Sequence, residues 1–261
     1  MLTEQIKTIL MNLWVYSLLL LATAIGIILT PVLIAGFVIT YRWNLARVVR
    51  HMIWLYGRVW LLIIYPFVDF KREGVADENI PPNCVFVINH LSFFDTYFMG
   101  SLPSSDVTFA VRSWPFKMFW YHFFMRLAGY LEVEELSWQQ TLDKGLSILH
   151  GGGAVLFFPE GHRSRTGQLQ RFYSGAFKMA VASGRPIVPL CIMGTDRLLP
   201  PGRKHLKPST VRLRVLAPVD SADYGEEGGH RRLRKEVKAQ IAQELELMRH
   251  LNIDETVGGS A

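Results

Sequence analysis

Apolar residues follow three different patterns along this chain. From Ile9 to Thr40 they form a run rich in Leu, Ile and Ala, with no formal charge between Lys7 and Arg42. A helix needs about 20 apolar residues to cross a bilayer core, so the run predicts a membrane helix longer than one straight span requires. Pro31 lies inside it and predicts a kink or a helix boundary. A cleaved signal peptide is the competing reading, with Lys7 as basic flank and Ala22-Thr23-Ala24 as cleavage site. The apolar run continues well past that point, which favours a retained anchor.

Residues 44–65 show a second pattern. Arg47, His51, Trp54 and Arg58 recur at spacings of four and three, which is one helical face, while Val48, Met52, Leu55, Val59 and Leu62 form an apolar face. A basic stripe carrying Trp suits a helix in the headgroup region; a second spanning or packing helix fits the same residues. Arg42, Arg47, Arg50 and Arg58 follow the first run, so the positive-inside rule places the rest of the chain in the cytoplasm.

Beyond Pro66 and the polar stretch Lys71–Asn83, short apolar runs alternate with helical periodicities. Cys84–Ile88, Val107–Val111, Ala154–Phe158, Ile187–Met193 and Val211–Leu216 predict strands. Trp114–Gly129, Trp138–His150, Gly175–Ser183 and the charged segment Arg231–Arg249 predict helices, with Thr256–Ala261 frayed. The alternation predicts an α/β class. Three regions result: N-terminal membrane-anchoring helices (1–68), a central domain (69–220) and a C-terminal charged helix and tail (221–261).

Composition narrows this picture. The chain has 261 residues, is 50% hydrophobic and only 19% charged, and carries 28 Lys+Arg against 22 Asp+Glu. That excludes disorder as the main state and leaves room for one well-buried domain plus an anchor. The formal charge of +6 sits on the anchor and the central domain, since residues 221–261 carry a net negative charge. A basic anchor suits anionic lipid headgroups, and no basic-aromatic module supports nucleic-acid binding. Cys84 and Cys191 lie inside apolar runs and read as buried thiols, not a disulfide framework. The eight His do not cluster at ligand spacings, so no metal site is expected.

Two of the predicted strands end in dense polar clusters. One is Asn89-His90-Leu91-Ser92-Phe93-Phe94-Asp95, directly after Val85–Ile88. The other is Pro159-Glu160-Gly161-His162-Arg163-Ser164-Arg165, directly after Val155–Phe158. In open α/β sheets, sites form beyond the carboxyl ends of strands. A His and an Asp there can act as a base and its orienter. The spacing alone is weak evidence; a second polar cluster at another strand end strengthens it.

Together these strings resemble the glycerolipid acyltransferases, the lysophosphatidic acid acyltransferases and their relatives. Asn89-His90-x4-Asp95 is similar to the family's NHxxxxD motif, and Phe158-Pro159-Glu160-Gly161-His162-Arg163-Ser164 to its FPEGxRS motif. Val188-Pro189-Leu190 resembles its third conserved strand, and Phe172, Gly175 and Ala176 its F-x-x-G-A segment. The resemblance covers about residues 70–220. It implies a glycerol-3-phosphate acyltransferase-like domain, a mixed sheet flanked by helices and preceded by N-terminal membrane helices. It further implies transfer of an acyl group from acyl-CoA or acyl-ACP to a lysolipid hydroxyl, with no cofactor. His90 and Asp95 are then the catalytic pair. Glu160, Gly161, Arg163, Ser164, Arg112 and Arg165 are the expected acceptor-binding residues, and backbone N–H groups near Gly161 the expected oxyanion donors.

Some positions depart from the family pattern. Glu135 stands where phosphate-acceptor members usually have a basic residue, and Tyr173-Ser174 replaces two lysines. Arg112 stands where relatives usually have Lys, and Arg171 adds a positive charge just before Phe172. The expected acceptor is 1-acyl-sn-glycerol-3-phosphate; the cation deficit keeps a lyso-ornithine lipid or a lysophosphodiester open, with Glu132, Glu134 and Glu135 as candidate partners for a cationic group. Two other classes compete: a silent membrane scaffold, against which the His90/Asp95 pair argues, and a serine hydrolase, for which Ser92 and Ser164 lack a Gly-x-Ser-x-Gly context.

Overall fold

The computed structural model describes residues 2–200 and 202–258. The uncharged run forms one helix, α1 (Leu2–Tyr41), which continues through Pro31. Pro31 has no N–H to offer the preceding turn, and next to it the Thr30 hydroxyl donates to the Gly26 carbonyl at 2.7 Å. The chain then reverses at Arg42, whose φ is 53°. Asn44 caps α2 (Leu45–Ile64) by accepting from the Arg47 amide at 2.9 Å. Phe37 meets His51, Thr23 meets Tyr56 and Trp14 meets Ile63, the descending order of an antiparallel pair.

The hairpin changes two expectations. Met11 and Val15 are buried, and the Asn12 side chain exchanges hydrogen bonds of 2.8 Å with both the N–H and the carbonyl of Leu206. The N-terminal end of α1 therefore lies with the α/β domain, and Arg42 marks the tip of the hairpin. The side assignment drawn from the positive flank assumes a single crossing, and the hairpin removes that premise. Arg50, read as part of that flank, is 8% exposed and donates to Asp106 and to the Ala128 carbonyl.

Of the readings open for α2, packing is what the structure shows. Val48, Val49, Trp60 and Ile64 are buried against the domain, and Gly57 meets Gly100 backbone to backbone. A Cβ at Gly100 would lie 2.6 Å from the Gly57 carbonyl carbon, so this approach needs glycine at position 100. Leu55, Val59 and Leu62 remain exposed, as do Leu20, Ile28, Val32 and Ile39 of α1. Such a continuous apolar surface marks a membrane or partner contact, and α1 is long and apolar enough to cross a membrane.

Among the described residues seven strands follow: β1 (Val68–Gly74), β2 (Val85–Ile88), β3 (Val107–Val111), β4 (Leu131–Glu132), β5 (Ala154–Phe157), β6 (Ile187–Met193) and β7 (Ser209–Val215). Their order is β1-β7-β6-β2-β5-β3-β4, and every neighbouring pair is parallel except β6 and β7. The helices are α3 (Asp95–Phe98), α4 (Ser113–Phe116), α5 (Phe119–Leu127), α6 (Trp138–His150), α7 (Gly175–Ser183), α8 (Thr195–Leu198) and α9 (Gly229–Gly258). This is the expected mixed sheet flanked by helices.

Strand pleating explains the continuous apolar runs. Phe86 and Ile88 pack toward the hairpin with Trp60, Ile64 and Phe98, while Val85 and Val87 pack the other way with Phe177, Val237 and Ile241. Leu233, Val237, Ile241 and Leu245 of α9 recur every four residues and are all buried. The charged C-terminal helix thus closes the second layer of the domain.

Three elements differ from expectation. β1 falls across the stretch read as a polar boundary; it is an edge strand paired only with β7, so its outward positions carry charge. Its Asp69 and Glu73 pair with Arg212 and Arg214 of β7. The helix expected over Trp114–Gly129 breaks between α4 and α5, where Met118 is extended and the His122 ring meets the freed Phe116 carbonyl at 2.8 Å. The fraying expected for Thr256–Ala261 is met by helix to Gly258, and residues 259–261 lie outside the described residues.

Candidate active site

β2 and β5 are adjacent and parallel, so both polar clusters leave the sheet at the same edge. Asn89, the first residue beyond β2, anchors its loop to β6. Its side chain donates to the Ile192 carbonyl at 2.9 Å and accepts from the Ile192 amide at 2.8 Å. His90 follows, and its Nδ1 lies 2.8 Å from Asp95 Oδ2.

Asp95 opens α3 and is fully buried. Oδ2 also accepts from the amides of Leu91 at 2.7 Å and Ser92 at 2.9 Å, and Oδ1 accepts from the Thr195 hydroxyl at 2.6 Å. A buried carboxylate with this many donors is held as the acceptor. Nδ1 of His90 then carries the ring proton, and Nε2 keeps its lone pair. The ring packs against Phe158, with centroids 4.2 Å apart.

The second cluster is built around Glu160. It is 2% exposed, and its two oxygens accept from the backbone amides of His90 and Gln170, each at 2.8 Å. Burial pushes its carboxyl above the ordinary range, opposed by those amides. Glu160, expected at the acceptor, joins the two loops through their backbones. Gly161 takes φ 73°, and a Cβ there would sit 3.0 Å from the Tyr173 ring. Its N–H donates to the Phe158 carbonyl at 3.0 Å, so that amide is already engaged and is not the expected oxyanion donor.

The remaining expected residues separate into two groups. Arg112, Gly161 and Arg163 line the cavity that holds His90. Ser164 does not: it is buried, its amide donates to the His90 carbonyl at 2.8 Å and its hydroxyl to the Gln168 carbonyl at 2.7 Å. Both bonds hold the loop. Arg165 is exposed and outside the lining of that cavity. Arg112 pairs with Glu134 and approaches the His162 ring at 3.0 Å. The Ser113 amide and Arg112 hold the Glu134 carboxyl below the ordinary range. Glu132 and Glu135 face a separate groove beside α5, so the charge reversal at Glu135 lies away from His90.

The cavity measures about 1130 Å³. It runs from Gly26, Ile27 and Ile53 in the hairpin, past His90, to Arg163 and Tyr173. Its walls are mostly apolar, with two bonded phenols, Tyr97 and Tyr121, set into them. Burial raises both hydroxyls, that of Tyr121 to about 12, so both stay neutral donors. An apolar channel leading to a histidine with a free lone pair, beside exposed arginines, suits a long-chain acyl group and an anionic head. Sequence reasoning missed Asn89 as an anchor, Thr195 and the two phenols. Asn89 alone carried a signal, its place inside the motif.

Residues 72–193 match the Acyltransferase family. The chain is 31% identical over 239 residues to a chloroplastic 1-acyl-sn-glycerol-3-phosphate acyltransferase of Brassica napus, covering 88% of this chain and 66% of that protein. It is 31% identical over 201 residues to one of Arabidopsis thaliana, covering 73% of this chain and 53% of that protein. The chain thus spans between about half and two thirds of the length of these relatives. The crystal structure of the 1-acyl-sn-glycerophosphate acyltransferase of Thermotoga maritima superposes with a TM-score of 0.69 at 24% identity, covering 94% of this chain and 98% of that one. The fold is the same, and the two motifs lie on the matched region. Together these matches support a lysophosphatidic acid acyltransferase-like glycerolipid acyltransferase family for the chain.

Proposed function

We propose that this protein transfers an acyl group from a thioester donor, acyl-CoA or acyl-ACP, to the free hydroxyl of 1-acyl-sn-glycerol-3-phosphate. The observation that carries this reading is the His90–Asp95 pair at 2.8 Å inside the channel, with Nε2 free to accept. Nε2 takes the acceptor's hydroxyl proton as its oxygen attacks the thioester carbonyl. The tetrahedral intermediate collapses, the C–S bond breaks, and the imidazolium returns its proton to the departing thiolate. Asp95 stabilises the transient imidazolium, a contribution of about 10²–10⁴-fold for a positioned base. Arg163 meets the acceptor phosphate, where a planar guanidinium donates two hydrogen bonds.

The exposed apolar surface of α1 and α2 supports mooring by the hairpin, with the catalytic domain on the cytoplasmic face where thioester donors circulate. One observation favours a second acceptor class. Arg112 shares its charge with Glu134, which leaves fewer cations for a phosphomonoester and favours a lysophosphodiester or lyso-ornithine lipid.

The test is an acceptor panel in detergent with labelled acyl-CoA and acyl-ACP. Lysophosphatidic acid should be preferred, and label should move only when an acceptor is present. Thioester breakdown without acceptor would indicate hydrolysis instead. Purified His90→Ala should be folded and inactive; more than a few per cent of wild-type turnover removes the base assignment.

A further inference from the structure

Asp95 presents two oxygens to its surroundings, and they are held from different parts of the chain. Oδ2 takes its three donors from the loop it belongs to: His90 Nδ1 and the amides of Leu91 and Ser92. Oδ1 takes the Thr195 hydroxyl, 100 residues away, at 2.6 Å. Both Asp95 and Thr195 are fully buried, so no solvent replaces that donor.

The backbone is built to deliver Thr195 to this point. β6 ends at Met193, and Gly194 turns the chain with φ 91°. A Cβ at Gly194 would sit 2.0 Å from the Thr210 carbonyl oxygen, so the turn admits glycine alone. Thr195 then opens α8. The same strand end is fixed to the His90 loop by the Asn89–Ile192 pair of hydrogen bonds. The end of β6 is therefore in register with the loop on which it acts.

We propose that Thr195 is a positioning residue for acyl transfer. Its hydroxyl sets the rotation of the Asp95 carboxylate, so that Oδ2 stays on His90 Nδ1 and the free lone pair stays on Nε2. This rests on the reading of His90 as the general base. Without the hydroxyl, Oδ1 is a buried charged oxygen with no donor, and the carboxylate relieves this by turning or by binding a proton. Either change weakens its hold on the Nδ1 proton just when the imidazolium forms. A threonine that merely filled space would behave differently, because valine has the same shape and suits an apolar site.

The experiment compares Thr195→Val, Thr195→Ala and Thr195→Ser in the full-length protein in detergent, with steady-state kinetics for both substrates and thermal unfolding. Loss of a hydrogen bond to a charged group corresponds to about 10- to 100-fold, and it should fall on kcat. KM for donor and acceptor should stay within about twofold, because Thr195 touches neither. Serine keeps the hydroxyl and should restore kcat to within about threefold of wild type. If valine fails to fold, the serine–alanine pair carries the same comparison. The proposal is overturned if valine keeps more than about half of kcat, if serine loses as much as alanine, or if the losses simply follow the unfolding temperatures. An active His90→Ala protein would instead sink the base assignment; an inactive His90→Ala beside a fully active Thr195→Val would sink this inference alone.

Discussion

The loops that leave β2 and β5 start from the same sheet edge and differ in how they are held. In the first, the aspartate is fully buried, takes four donors and has no exposed oxygen. In the second, a glutamate of nearly equal burial has two backbone amides, and the arginines around it stand in the open. The base proposed for the first loop would need its position held within tenths of an ångström, and that loop is fixed from several directions. The head-group contact proposed for the second loop uses arginines that stand at the surface. Glu160 links the two: by accepting from the His90 amide it ties the second loop to the mounting of His90.

The sharpest way to break this contrast is Asp95→Asn, which keeps the shape and removes the charge. It should lower kcat by about 10³–10⁴-fold with little change in KM, since the wrong ring tautomer is then favoured. Comparable activity in steady-state assays would mean that the first loop is not the rigid half. Glu160→Gln comes next. An amide can accept from only one of the two N–H donors and points its own NH₂ at the other, a cost of about 1–3 kcal/mol in urea unfolding. Its kcat should fall too, because His90 moves with its backbone.

The pH dependence follows from the raised Glu160 carboxyl. Its folded value lies above its unfolded one, so the fold favours the protonated form. That contribution is present below the ordinary carboxylate range and is lost as pH rises through the raised value. Wild type measured against Glu160→Gln should therefore gain relative stability on the acid side; a gain toward neutral pH would contradict the assignment.

Two smaller effects address the exposed half. Arg163→Ala should raise KM for lysophosphatidic acid by about tenfold and leave a lysolipid without phosphate unaffected. Equal effects on both would make Arg163 a loop residue. Glu134→Gln frees Arg112 and should change KM for lysophosphatidic acid by no more than about two- to threefold, as for other exposed pairs. A tenfold gain would show that the acidic turn, and not the arginines, sets acceptor choice.

Much of this was legible in the sequence for a physical reason. Strands buried on both faces read as short apolar runs, and β2, β5 and β6 were readable in that way. α6 and α7 carried their own punctuation, the Ser137–Gln140 capping box and the left-handed Gly184. β1 was hidden because an edge strand alternates apolar with charged residues and resembles a loop. The break between α4 and α5 was hidden because the apolar spacing continues across it. At the site, His90 and Asp95 were readable because a short loop keeps both partners within one motif. The backbone bonds of Ser164 and Glu160 were not readable, because a motif string does not say which polar atoms the backbone will claim.

The chain alone determined the α/β class, the apolar N-terminal helix and the His90–Asp95 pair, since each depends on neighbours within a few residues. Only the tertiary structure decided that the anchor folds back on itself. It alone placed Glu160 between two loops and brought Thr195 to Asp95. Those outcomes depend on strand order and on where backbone donors fall after packing, and no local pattern of side chains encodes either.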